Sequence, residues 1–286
     1  MNTKSQIIYS EIKSSYLKKL VHYSIYIPSE IEKTEEIRVK RLTSVPNFSS
    51  LYLLHGIEGD HTDWIIKGHI QETADLLISQ EKLNRLLIIM PEGFKSFYSN
   101  TYNNSEKYED FFIKELIPKV ESSYNIIQNR NSCAIGGLSM GGFGAFKLAI
   151  KYPELFSITF SHSGAFFSEP DPAKTTVESV AEALRKIFGE PYDKKHWEEN
   201  NPFSLLNDKS HYHSKDDNKK GNYKIAFYLD CGKDDRIFHL SENMHTFLTK
   251  KGIEHIYNVF DGEHSWEYWQ THIKDSLLFL NNHIKS

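Results

Sequence analysis

Apolar and polar positions alternate across residues 21–27 and stop at Pro28, the period-2 pattern of a half-exposed strand. Residues 37–42 carry a weaker form of the same pattern. Two further runs, 51–54 (Leu-Tyr-Leu-Leu) and 86–90 (Leu-Leu-Ile-Ile-Met), are apolar throughout. Runs of that kind suit parallel strands buried on both faces. The first meets His55-Gly56 and the second meets Pro91, both turn signals. Residues 132–135, 158–161, 224–229 and 255–260 read as later strands. Helical spacing occupies 70–80, 108–123 (Phe112, Leu116 and Val120 on one face), 140–151 before Pro153, 240–250 and 267–284.

Short buried strands alternating with helices predict an α/β fold, with a mainly parallel central sheet flanked by helices. Such sheets bind ligands at the carboxyl ends of their strands. His55-Gly56, Ser139, Asp235 and His264 all fall at those ends. Segment 165–223 departs from the alternation. It holds Pro170, Pro172, Pro191 and Pro202, a helical stretch near 176–188 and a very polar tract at 208–222. It reads as a partly helical, cap-like insertion after the half of the chain that ends beyond Ser139. No linker or internal repeat appears, so one domain over residues 1–286 is expected.

The length of 286 residues is ample for one such domain, and 39% hydrophobic with 25% charged residues is ordinary for a soluble globular chain. A net charge of -4 gives no argument for nucleic acid or an anionic membrane as partner. No apolar run approaches the roughly 20 residues that span a bilayer. The first nine residues lack an apolar signal core, so a cytoplasmic protein is the expectation. Cys133 falls in an expected strand and Cys231 at the end of another, which predicts buried thiols rather than a disulfide. A homo-oligomer is left open.

Gly137-Leu138-Ser139-Met140-Gly141 fits Gly-x-Ser-x-Gly, with a strand before it and a helix after it. That is the nucleophile elbow of the α/β-hydrolase fold, in which a strained turn lifts the serine hydroxyl clear of the sheet. The flanking glycines let strand and helix approach closely. The Met140 N–H then opens a helix, where the dipole favours a developing negative charge. A phosphate loop would want a Gly-Lys-Ser/Thr ending, which is absent.

A serine hydroxyl needs a base. His264 follows the last strand and precedes the last helix, which suits that role in the chain order Ser, acid, His. His255 and His272 fall inside a strand and a helix. Asp234 and Asp235 both follow the 224–229 strand, and either could orient the imidazole. His55-Gly56-Ile57 resembles the oxyanion loop after an early strand, with the Ile57 N–H as second donor. His55 itself reads as a structural residue bonding the loop backbone. The spacing of His55, His61 and His69 matches no standard metal site.

Leu53 to Gly56, Gly59 to Trp64, Gly137 to Gly144, Cys231 to Asp235 and Gly262 to Trp266 together resemble the esterase D-type family of esterases. That family includes tributyrin-type esterases, S-formylglutathione hydrolases, feruloyl esterases and mycolyltransferases. The likeness runs over residues 51–269, with 165–223 poorly matched. It implies Asp235 as the acid, with the amides of Ile57 and Met140 as the oxyanion hole. S-formylglutathione hydrolases usually carry Ser-Gly at His55-Gly56 and Gln-Gly at Cys231-Gly232, so the chain looks more like the tributyrin-type acyl esterases. The resemblance implies a serine esterase acting on small-molecule short-chain acyl esters without a cofactor. Acyl transfer or feruloyl- or S-formylglutathione-type hydrolysis on the same triad is the alternative. A non-catalytic binding protein on this scaffold would be expected to lack a triad member.

Overall fold

The computed structural model of the chain describes residues 4–29, 48–124, 126–171, 175, 177–207 and 223–285. The strand expected at 37–42, the polar tract at 208–222 and Tyr212 lie outside them. Eight strands form one sheet: β1 (Gln6–Lys13), β2 (Leu20–Ile27), β3 (Ser49–Leu54), β4 (Leu86–Pro91), β5 (Cys133–Leu138), β6 (Ile158–His162), β7 (Ala226–Gly232) and β8 (His255–Phe260). Their order is β1-β2-β4-β3-β5-β6-β7-β8. From β4 to β8 every pairing is parallel, while β2 pairs antiparallel with β4 and β1 with β2. The mainly parallel sheet is as expected, with an antiparallel edge. β1 was not expected. Its residues are only half-buried, and its order comes from an eight-residue register with β2 rather than from a strong pattern of its own.

The helices are α1 (Asp63–Ile66), α2 (Ile70–Ser79), α3 (Tyr108–Phe111), α4 (Ile117–Ser123), α5 (Met140–Lys151), α6 (Glu178–Phe188), α7 (Lys194–Glu198), α8 (Pro202–Asn207), α9 (Phe238–Lys250) and α10 (Trp266–His283). The single helix expected over 108–123 is split by a π-helical turn, Phe112–Leu116. Pro118 lies two residues beyond it and lacks the N–H that a continuous α-helix would use there, so a wider turn relieves the ring clash.

Alternation along the strands divides the core into two layers. Tyr52 and Leu54 of β3 point into a cluster with Phe112, Val120, Phe146 and Met244, from α4, α5, α9 and the π turn. Leu51 and Leu53 point the other way, to Ile70, Ala74, Ile273 and Leu277 of α2 and α10. Helices thus cover both faces, and the strand ends are left free to carry the site. The inserted segment contributes α6, α7 and α8. Its Leu184, Phe188, Trp197 and Leu205 are buried in the first cluster, so this part of the segment is core and not a loose lid. Among the described residues no helix is long and apolar enough to cross a membrane.

Candidate active site

Ser139 sits between the end of β5 and the start of α5 with φ 51° and ψ -116°. A non-glycine residue there carries strain of order 1–3 kcal/mol, which the surroundings must hold. They do so with three main-chain bonds: Ser139 N–H to His162 O (2.9 Å), and the N–H groups of Phe143 and Ala165 to Ser139 O (3.1 Å each). The glycines of the motif make the turn sterically feasible. A Cβ at Gly137 or Gly141 would lie 2.6 or 2.5 Å from the Leu54 carbonyl oxygen, a backbone atom that cannot step aside.

His264, on the loop between β8 and α10, has Nε2 3.1 Å from Ser139 Oγ. Its Nδ1 lies 2.8 Å from Asp235 Oδ2 and 3.0 Å from Oδ1. Asp235 is buried on the loop after β7, and its Oδ1 also accepts the Ile237 N–H at 2.8 Å. Burial alone would raise the Asp235 carboxyl, but the His264 hydrogen bond and charge, the Ile237 amide and the Ser163 hydroxyl outweigh it and hold it below the ordinary value. Asp234 is exposed. The spacing left Asp234 and Asp235 open; the fold brings Asp235 to the imidazole.

The other candidates are engaged elsewhere. His255 bonds His245 (2.8 Å) and the Ile253 carbonyl (2.7 Å), and His272 bonds Asp275 (3.1 Å) on α10. Asp230 is fully buried against His162 (2.9 Å), with the hydroxyls of Tyr228 and Tyr268 donating to it. His61 bonds Ser24 Oγ at 2.8 Å, and His69 opens α2 in a left-handed conformation. Cys133 and Cys231 are unpaired buried thiols, each pushed up to about 12 by burial, so neither competes as a nucleophile at neutral pH.

The loop after β3 is held carbonyl by carbonyl. Leu54 O accepts Trp64 Nε1–H (3.0 Å), His55 O accepts the Tyr98 hydroxyl (2.9 Å), and Gly56 O lies 2.6 Å from His55 Nδ1. The Gly93 N–H donates to His55 Nε2 at 2.7 Å. Nε2 is therefore an acceptor, and the proton sits on Nδ1, where it serves Gly56 O. His55 is thus spent on backbone. Gly56 C=O and Ile57 N–H belong to one trans peptide and point in opposite directions. Fixing the carbonyl fixes the amide. Ile57 and Met140 both line the cavity that holds Ser139 and His264. Neither amide donates to a backbone carbonyl among the described residues.

That cavity encloses about 630 Å³. Phe97, Met140, Phe167, Val177 and Val180 give it an apolar side, and Arg236, His239 and Asn243 a polar one. Of the insertion's aromatics, Phe167 lines the cavity, Phe166 and Trp197 are core, and Phe203 packs on Phe247 (5.1 Å between rings). Sequence reasoning missed Tyr98, Ser163 and Trp269. The Trp269 indole N–H donates to Ser163 Oγ (3.1 Å), and its ring stands edge-on to His264 at 4.9 Å. No short motif marks these residues, because they act through neighbours distant in sequence.

Comparison with known proteins sets the chain among esterases. The chain is 27% identical to an acetyl esterase of Caldicellulosiruptor saccharolyticus over 273 residues, covering 94% of this chain and 95% of that protein. Two solved Staphylococcus aureus structures share the fold. One is a substrate-bound fluorophosphonate-binding serine hydrolase F (TM-score 0.80, 21% identity, 98% of this chain and 99% of that one). The other is an S-formylglutathione hydrolase (TM-score 0.78, 22% identity, 98% and 100%). The sequence profile of the family described as "Putative esterase" matches residues 14–280, from the β1–β2 hairpin into α10 and across every element that carries the site. The chain therefore belongs to that family of α/β-hydrolase-fold esterases.

Proposed function

We propose that the protein is a serine carboxylesterase working through an acyl-enzyme, with Ser139 as nucleophile, His264 as general base and acid, and Asp235 as the carboxylate that orients the imidazole. The observation that carries the reading is one histidine ring with a nitrogen on each side of the relay, 3.1 Å from Ser139 Oγ and 2.8 Å from Asp235 Oδ2. His264 Nε2 takes the Ser139 proton as Oγ attacks the ester carbonyl carbon. The N–H groups of Ile57 and Met140 receive the negative charge on the carbonyl oxygen, each contributing about 3 kcal/mol to the transition state. The imidazolium gives its proton to the leaving alkoxide as the C–O bond breaks. Water then enters, loses a proton to the same ring, attacks the acyl carbon and releases the carboxylic acid with Ser139 restored.

The substrates we propose are small esters of short acyl groups. The acetyl esterase that shares 95% of its length with this chain supports the acyl size. We further read the chain as a single hydrolase domain in which 165–223 is an elaboration over the strand ends. Two unpaired buried thiols suit a reducing compartment, in keeping with the cytoplasm. The test is hydrolysis of p-nitrophenyl esters from acetate to decanoate by the protein and its Ser139→Ala variant. Turnover of short esters that disappears in the variant is expected. Equal turnover by both proteins would sink the assignment of the nucleophile.

A further inference from the structure

One part of the cavity's polar wall comes from a short stretch, the loop after Asp235 and the first two turns of α9. Arg236 directly follows Asp235, while His239 and Asn243 lie four residues apart on the helix and so share a face. All three side chains are exposed and line the cavity that holds Ser139. Among the described residues none of them has a hydrogen-bond or ion-pair partner.

The other charged groups on the cavity wall are already engaged. Lys67 pairs with Asp63 at 2.9 Å, and Glu58 with Lys95 at 3.7 Å. Glu169 also has a partner. Arg236 is thus the one cation lining the cavity without a counter-ion among the described residues. Its guanidinium offers donors in a planar fork that matches a carboxylate, and it accepts nothing.

We infer that the cavity is built for esters that carry an anionic group, a carboxylate that Arg236 grips while Ser139 attacks the ester carbonyl. This deepens the esterase reading and rests on it. Asn243 and His239 supply further donors beside the same group.

Two substrate pairs test the inference. In the first, 4-acetoxybenzoate against its methyl ester, the charge sits on the leaving group. In the second, 4-nitrophenyl hydrogen succinate against 4-nitrophenyl butyrate, it sits on the acyl group. The readout is the anionic-to-neutral ratio of kcat/KM within one protein, which cancels any loss common to both substrates. The ratio is expected to favour the anion by about tenfold in one pair, as a charge-assisted contact near solvent would give. Arg236→Gln should bring that ratio to near one, and Arg236→Lys should keep part of it. Ratios near one in both pairs for the unaltered protein overturn the inference, as does a stronger preference for a neutral sugar acetate. Calorimetry on Ser139→Ala separates the two readings. If no ester is turned over yet 4-acetoxybenzoate binds more tightly than its methyl ester, the chemistry fails and the anion site stands. Equal or absent binding of the two removes the site.

Discussion

The Tyr98 hydroxyl donates to the main-chain carbonyl of His55 across 2.9 Å, between two loops 43 residues apart. Tyr98 is fully buried and sits at φ 55°, an unfavourable conformation for a bulky residue. That strain is held in place beside the proposed oxyanion loop, whose Ile57 amide depends on where the neighbouring carbonyls point. Tyr98→Phe keeps the ring and removes the one bond. We expect kcat to fall by about tenfold with KM little changed, since a misaimed donor weakens the transition state more than the ground state. Steady-state kinetics on one short ester checks this. A change confined to KM would rule out the positioning role.

Asp234 and Asp235 are adjacent, but only Asp235 reaches His264. Asp235→Asn keeps shape and burial yet removes the charge that steadies the imidazolium and selects its tautomer. A loss of about 10³–10⁴ in kcat is expected, by comparison with the same change in serine protease triads. Asp234→Asn should stay within about twofold. The paired kinetic comparison settles which aspartate serves, and a larger loss at Asp234 would reassign the acid.

How much of this was legible in the sequence depended on range. The elbow was readable because its requirements are local: glycines on both sides of Ser139, a strand before and a helix after. His264 could be singled out from fourteen histidines because it alone combines the expected chain order with the last β–α junction. β1 was not, because a half-exposed edge strand owes its order to β2. The π turn before Pro118 broke a helix whose apolar spacing alone looked continuous. Of the acid pair, Asp235 was chosen only through family resemblance, since adjacent residues on a loop have no periodicity to separate them. Tyr98, Ser163 and Trp269 escaped because their roles exist only as contacts between distant segments.

Ser163 and Trp269 make a testable pair. The Ser163 hydroxyl accepts the Trp269 indole N–H at 3.1 Å and helps to hold the Asp235 carboxyl below its ordinary value, so the indole orients the hydroxyl and the hydroxyl favours the charged carboxylate. Ser163→Ala and Trp269→Phe should each lower kcat by about three- to tenfold. Residues acting in series are not additive, so the double variant should be no worse than the more severe single one. A double-mutant cycle on kcat reads this directly. Full additivity would mean that the two act independently.

Glu109 gives the fold its sharpest predicted dependence on acid. Its carboxylate is buried with Lys147 Nζ at 2.6 Å, Lys151 Nζ at 2.7 Å and the Tyr152 hydroxyl at 2.7 Å. Burial would raise it, but the two ammonium groups win and hold it down at about 2 against an ordinary 4.5. A carboxylate depressed on folding contributes stability that is complete above the ordinary value. That contribution is lost as pH falls toward 2, because the unfolded chain takes up the proton first. Urea unfolding should therefore show the midpoint dropping between pH 4.5 and the lowest pH at which the protein stays folded. Glu109→Gln should be less stable at pH 7 by about 3–5 kcal/mol, since it leaves Lys147 buried without its counter-charge. It should also lose most of the acid slope, because the titrating group is gone. A variant that kept the full slope would place the acid sensitivity in other carboxylates.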